Sequence, residues 1–188
     1  MRIKNWLIAA LCFVSPSLYA HTGGHIDHSL ISGLLHPLTG IDHLLVLMAV
    51  GLIAAKQGGK ALFAFPAVFV ALMAAGAVLN VYAVQIPFVE SLIALSLIAF
   101  GLLVTIGQKQ RAKIFFLGVS FFAVFHGYAH AAEIPAESSA ALYFSALMLM
   151  SLAICLGGCV LGLSTGKRIN YLFSLVCLSS GLYYLAGA

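Results

Sequence analysis

Two short stretches of this sequence concentrate side chains of the kind that bind metal ions. The first reads HPLTGIDHLL and the second FHGYAHAAE, and neither contains a cysteine. Neutral imidazole and carboxylate together suit a divalent transition ion, whereas the lack of thiolate disfavours Cu(I). The six candidate ligands are His36, Asp42, His43, His126, His130 and Glu133.

The spacing within each stretch places its ligands on one side of a helix. His36 and His43 are seven residues apart and so take nearly the same angular position. His126 and His130 are four apart, a familiar chelating arrangement, and Glu133 follows three residues later on the same face. Each stretch therefore predicts a ligand-bearing helix face.

The composition of the whole chain indicates what must position these helices. Of 188 residues, 63% are hydrophobic and only 7% are charged, with a mean hydropathy of +1.11. Soluble domains carry about 25% charged residues, so this chain has too little polar surface for a soluble globule. It is predicted to be an integral membrane protein, and its net charge of +4 does not indicate nucleic-acid binding.

Six apolar segments are long enough to cross the membrane, since each has the roughly 20 residues that about 30 Å of hydrocarbon requires. The predicted spans are 37–55, 61–83, 88–107, 113–132, 139–163 and 169–187. We expect an all-α integral membrane protein, in which a six-helix transmembrane bundle occupies residues 37–188.

The N-terminus has the pattern of a cleavable signal peptide. Arg2 and Lys4 precede the short apolar run WLIAALCFV, and SPSLYA ends in small residues. We predict a signal peptide over residues 1–20, with cleavage after Ala20. An uncleaved anchor is the alternative. Residues 21–36 then form a His-rich periplasmic segment.

Lysine and arginine predict the orientation of the bundle. They occur in the first, third and fifth connectors between spans and are absent from the second and fourth. The positive-inside rule places those three connectors in the cytoplasm and both mature termini in the periplasm, as expected for a bacterial inner-membrane protein.

This orientation brings the two ligand-bearing faces to one depth. The first span begins near Pro37 at the periplasmic face, because proline favours the first turn of a helix, and the fourth span ends on that side. Charged groups at the bilayer centre cost about 2.5–3.5 kcal/mol, so these groups are expected to pair with one another or to share a ligand. The alternative to a metal site is that these histidines only pack between helices and that the acids are ordinary charges at the membrane interface. Glu90 is predicted as an acid at the entrance or beside a ligand.

Other polar and soft side chains leave two interpretations open. The segment HTGGHIDHS carries four candidate metal-binding residues, which are His21, His25, Asp27 and His28. These residues either capture metal before it enters the membrane, or the segment is only a flexible tail. Cys155 and Cys159 share a helix face and serve as soft ligands or, more simply, as small packing residues. The three mature-chain cysteines suggest no disulfide framework.

At these motifs the sequence resembles the HupE/UreJ family of bacterial nickel permeases, over essentially the whole chain. The matching positions are His36, Pro37, Gly40, Asp42, His43, Met48 and Gly51 in the first motif, and Phe125, His126, Gly127, Ala129, His130 and Glu133 in the second. Ala131 departs from the glycine common in the family, which could alter helix packing.

The resemblance implies secondary uptake of Ni²⁺, or of Co²⁺ in some members, for delivery to hydrogenase or urease through downstream proteins. It implies a transported ion rather than a permanent cofactor, and a membrane transporter rather than an enzyme. Residue chemistry alone does not distinguish nickel from zinc. An intramembrane zinc-dependent hydrolase with Glu133 as base is the main rival, and a haem protein with paired histidines is a weaker one.

Overall fold

The computed structural model describes residues 28–106 and 112–187, and the regular secondary structure there is entirely helical. This confirms the all-α prediction. The predicted signal peptide and His21, His25 and Asp27 lie outside the described residues. The helices are α1 (His28–Thr39), α2 (Ile41–Gln57), α3 (Ala61–Val81), α4 (Val89–Ile106), α5 (Ala112–Ala132), α6 (Ala140–Ser164) and α7 (Lys167–Gly187).

Helices α3 to α7 are each long and apolar enough to cross a membrane. Helices α1 and α2 meet that test only as a pair, and they are bent by 77° relative to each other. The described residues therefore contain five candidate spans, or six if the bent pair counts as one. Large apolar side chains such as Phe63, Leu117 and Val160 point outwards and are exposed, as expected where lipid covers the surface. The chain is a multi-pass membrane protein.

The bend between α1 and α2 differs from the predicted start of the first span. Pro37 lies near the end of α1 instead of opening the transmembrane helix, and α2 begins at Ile41. Proline has no N–H to donate within its helix, which weakens the last turn of α1. Gly40 then adopts an extended backbone with φ −83° and ψ 110°, and the chain changes direction there.

Helix α2 lies at the centre of the bundle and contacts every other helix. Its residues from Val46 to Ala54 are nearly all fully buried, which is why they are apolar. A Cβ atom at Gly51 would collide with the Cys155 carbonyl of α6, and one at Gly158 would collide with the Met48 carbonyl of α2. Glycine at these positions allows the two backbones to touch, a common way of packing helices in lipid.

Two further close approaches hold the helices that carry the candidate ligands. A Cβ at Gly127 of α5 would collide with the Met73 carbonyl of α3, so these helices touch beside His126. A Cβ at Gly33 of α1 would likewise collide with the Tyr143 carbonyl of α6. Helix α1 is thus packed against α6, and residues 28–36 of the predicted periplasmic segment belong to it.

Candidate metal site

Four histidines from three helices meet at one end of the bundle. The ring centroids of His43 on α2 and His130 on α5 are 4.1 Å apart. The His36 ring on α1 lies 4.9 Å from that of His130, and the His126 ring lies 5.5 Å from that of His43. His43, His126 and His130 are buried, whereas His36 is half-buried.

A carboxylate closes the solvent side of this histidine cluster. Glu133 Oε2 is 3.0 Å from His36 Nε2 and 3.7 Å from His130 Nδ1. One ligand atom from each of these three residues can be chosen so that all three lie within 4.8 Å of one another. Such a spacing is compatible with ligation of a single ion.

The charge of Glu133 is stabilised by its neighbours. The side-chain contact with His130, and then that with His36, lowers the pKa of the Glu133 carboxyl well below its usual range. Glu133 follows the last residue of α5, and its side chain is 48% exposed. An ionised carboxylate is therefore present where a cation would approach the buried imidazoles.

Hydrogen bonds determine which nitrogen of His126 and His43 can bind an ion. His126 Nδ1 lies 3.0 Å from the Phe122 carbonyl oxygen. A carbonyl only accepts hydrogen bonds, so Nδ1 carries the proton and Nε2 presents its lone pair. His43 Nδ1 lies 3.0 Å from Asp42 Oδ1, which assigns its tautomer in the same way.

The nitrogen atoms left over by these bonds are buried and lack a partner within the described residues. They are His43 Nε2, His126 Nε2, and both ring nitrogens of His130. A buried polar group left unpaired costs about 1–3 kcal/mol. Imidazole nitrogens presented in this way, with a carboxylate beside them, fit a divalent transition ion.

Asp42 occupies a different place from the one expected of a direct ligand. Its contact with His43 is at Nδ1, which is on the far side of the imidazole from the free Nε2. A carboxylate in this position orients a ligating histidine and raises its basicity. The contact is that of an orienting carboxylate, and direct ligation by Asp42 stays a prediction.

Two further sequence-predicted residues, Glu90 and His28, are described outside the cluster. Glu90 is exposed in the first turn of α4, and no hydrogen bond or ion pair joins it to another described residue. Its role at the entrance or beside a ligand stays a prediction. His28 is the exposed first residue of α1.

Two aromatic side chains beside the cluster were not identified from the sequence. The Phe69 ring of α3 is 5.8 Å from that of His126, and the Tyr143 ring of α6 is 5.8 Å from that of His36. Both lie in apolar segments where an aromatic residue is ordinary. Only the hydroxyl of Tyr143, in the outer turn of a span, could have signalled a polar neighbour.

The fold and this cluster define a class: multi-pass membrane proteins with imidazole and carboxylate groups assembled between their helices. The sequence profile described as HupE / UreJ protein matches residues 9–187. Protein HupE of Rhizobium leguminosarum bv. viciae is 38% identical over 182 residues, which cover 96% of this chain and 93% of that protein. The chain belongs to the HupE/UreJ family. No solved structure matches it significantly.

Proposed function

We propose that this protein is a secondary transporter that takes up a divalent transition-metal ion, most specifically Ni²⁺, from the periplasm into the cytoplasm. Family membership supports a transporter of the nickel or cobalt type. The choice of nickel rests on the family resemblance. The predicted signal peptide and the positive-inside pattern support insertion in the bacterial inner membrane with the histidine cluster on the periplasmic side.

The observation that carries this proposal is the set of unpaired imidazole nitrogens. Three buried histidines on two helices present nitrogen atoms that no described residue satisfies. Packing histidines in a membrane bundle would be expected to hydrogen-bond with their neighbours. A cation that accepts one lone pair from each ring accounts for three of the four nitrogens, and the remaining nitrogen of His130 carries its proton.

In the proposed mechanism, the ion first meets the half-exposed Glu133 carboxylate and the His36 ring. The buried nitrogens of His130, His43 and His126 then replace water molecules of the ion, while Asp42 holds His43 in its ligating tautomer. Ligating imidazoles must be neutral, so ion binding releases protons and weakens as the pH falls. Mixed ligation through nitrogen and oxygen also allows the ion to leave.

Radiolabelled nickel uptake tests the proposal. Cells expressing the protein should accumulate ⁶³Ni²⁺, with competition by excess Co²⁺ or Zn²⁺ measuring selectivity and Mg²⁺ serving as a hard-ion control. His43→Ala should abolish accumulation at normal protein level, and Leu149→Ala, on an exposed surface of α6, should not.

Closed membrane vesicles separate transport from the hydrolase alternative. A transporter accumulates metal inside the vesicle, whereas a zinc-dependent hydrolase cleaves a substrate in the membrane without accumulation. Wild-type cells and vesicles that accumulate no divalent metal would contradict the proposed function.

A further inference from the structure

The Tyr143 hydroxyl is a buried polar group that the proposed mechanism does not use. Tyr143 lies in the first turn of α6 and is only 1% exposed, although its side chain is the largest among the fully buried ones. Its hydroxyl oxygen is buried and has no hydrogen-bond partner within the described residues. Buried tyrosine hydroxyls ordinarily find a partner.

The surroundings of Tyr143 place it beside the histidine cluster. Its ring makes an edge-to-face contact with His36, with a centroid distance of 5.8 Å and an interplanar angle of 64°. His36 in turn contacts Glu133 and His130. The orphaned hydroxyl therefore belongs to a ring that contacts the edge of the histidine cluster through His36.

The backbone around Tyr143 keeps this side chain in place. The Tyr143 carbonyl lies against Gly33 of α1, in a contact that leaves no room for a Cβ. The Tyr143 amide donates to the Ser139 carbonyl at 2.9 Å, and the Ser139 amide donates to the Ser29 hydroxyl of α1 at 2.8 Å. The ring thus sits in a fixed junction between α1 and α6.

We propose that Tyr143 is a further positioning residue of the transport site, whose hydroxyl hydrogen-bonds a water molecule retained by the bound divalent cation. This inference rests on the proposed function. Transition ions held by a few imidazoles keep some of their water, and a hydroxyl can either donate to a nearby carboxylate or accept from metal-bound water. Metal-bound water is a strong donor, and the tyrosine oxygen is an acceptor without a partner.

Replacing the hydroxyl by hydrogen separates this role from a purely structural one. In Tyr143→Phe we expect the KM for ⁶³Ni²⁺ uptake to rise about tenfold, the loss typical of one hydrogen bond to a charged group. The maximal rate at saturating nickel should change little. The melting temperature of the metal-free protein in detergent should stay the same or rise, because the variant removes a buried unpaired group.

Tyr183→Phe is the matched control, since Tyr183 is 75% exposed on α7 and should leave both KM and melting temperature unchanged. Tyr143→Met supplies a second hydroxyl-free variant if the phenylalanine variant does not accumulate. An unchanged KM, or a raised KM accompanied by a lower melting temperature of the metal-free protein, would overturn the role of Tyr143. If the wild type transports no metal, it is the proposed function that fails.

Discussion

The two ends of α2 have opposite kinds of surroundings. At its first turn, Asp42 and His43 lie among imidazoles whose nitrogens have no partner in the described part of the chain. Just over two turns further along, Gly51 packs backbone to backbone against α6, in a core of fully buried apolar residues. The inner halves of the predicted spans contain no histidine, aspartate or glutamate.

This difference indicates that close packing and unpaired polar groups lie at different levels along α2; we call the close-packed part around Gly51 the inner region and the part with the histidine cluster the outer region. The close-packed inner region gains dispersion energy from every contact and needs no polar group. It can therefore hold the outer region in place even though buried unpaired polar atoms there oppose folding. Substitutions in the inner region should therefore prevent folding, whereas substitutions in the outer region should abolish uptake and leave the protein folded.

The largest effect is expected from a substitution in the inner region. Gly51→Val should prevent folding and remove all uptake, because its side chain would collide with the Cys155 carbonyl and the Cys159 amide. Overpacking of this kind costs about 1–3 kcal/mol or more, a large part of a domain's stability. Protein level in the membrane and the melting profile in detergent measure it.

Gly157→Val is the control, since a Cβ at Gly157 meets nothing within 4 Å. Both variants add the same side chain to a glycine in a transmembrane helix. Normal accumulation of Gly51→Val would show that the backbone contact between α2 and α6 does not hold the bundle together.

A substitution in the outer region should instead abolish function and spare folding. His130→Leu replaces a buried ring that has two unpaired nitrogens by an apolar side chain. We expect uptake to fall by more than about a hundredfold, because even groups that only support a ligand cost 10–100-fold. Protein level should match the wild type, and Phe121→Leu on an exposed face of α5 serves as control. Loss of the folded protein would contradict the separation of the two regions.

A smaller effect is expected at the edge of the outer region. Glu133→Gln keeps the shape of the side chain and removes its charge, so nickel uptake at low concentration should fall about tenfold. Glu137→Gln makes the same change at an exposed position after α5 and should have no effect. Equal losses in both variants would indicate a general surface-charge effect.

The pH dependence of nickel uptake by the wild type and by Glu133→Gln tests the same charge in a second way. Contacts with His130 and then His36 lower the pKa of Glu133, so its carboxylate stays ionised at pH values where an ordinary carboxyl begins to gain a proton. Between about pH 7 and about pH 5, the ratio of wild-type to Glu133→Gln uptake should therefore stay constant, because the wild-type carboxylate keeps the charge that the variant lacks. A ratio of their rates that approaches one at the acidic end would contradict this.

The sequence was sufficient to predict where the candidate ligands meet. Charge in the connectors predicted an orientation of the spans, and this orientation together with helical spacing predicted that His43 and His130 meet, as their rings do. Both rest on strong periodic signals that tertiary packing rarely overrides. The role of these residues as ligands, Asp42 included, stays a prediction; in the structure the Asp42 carboxylate contacts Nδ1 of His43.

The separate helix α1 could not be predicted in the same way. Pro37 was interpreted as the first residue of a span, whereas it ends a short helix that packs on α6. A twelve-residue helix is too short to produce a transmembrane signal. Tyr143 was missed because its role depends on that packing, which sequence periodicity does not encode.

The extended residue Gly40 has a mechanical consequence for ion coordination. His36 and His43 belong to two rigid helices joined by that residue, and the α2 hydrogen-bond ladder begins with Leu44 N–H donating to the Gly40 carbonyl. His36 lies four residues from this pivot, about 6 Å along its helix, so a tilt of α1 by about 10° displaces it by roughly 1 Å. In the proposed transport site, the contact of Gly33 with α6 therefore sets the distance of the His36 imidazole from the ion, independently of the three imidazoles on α2 and α5.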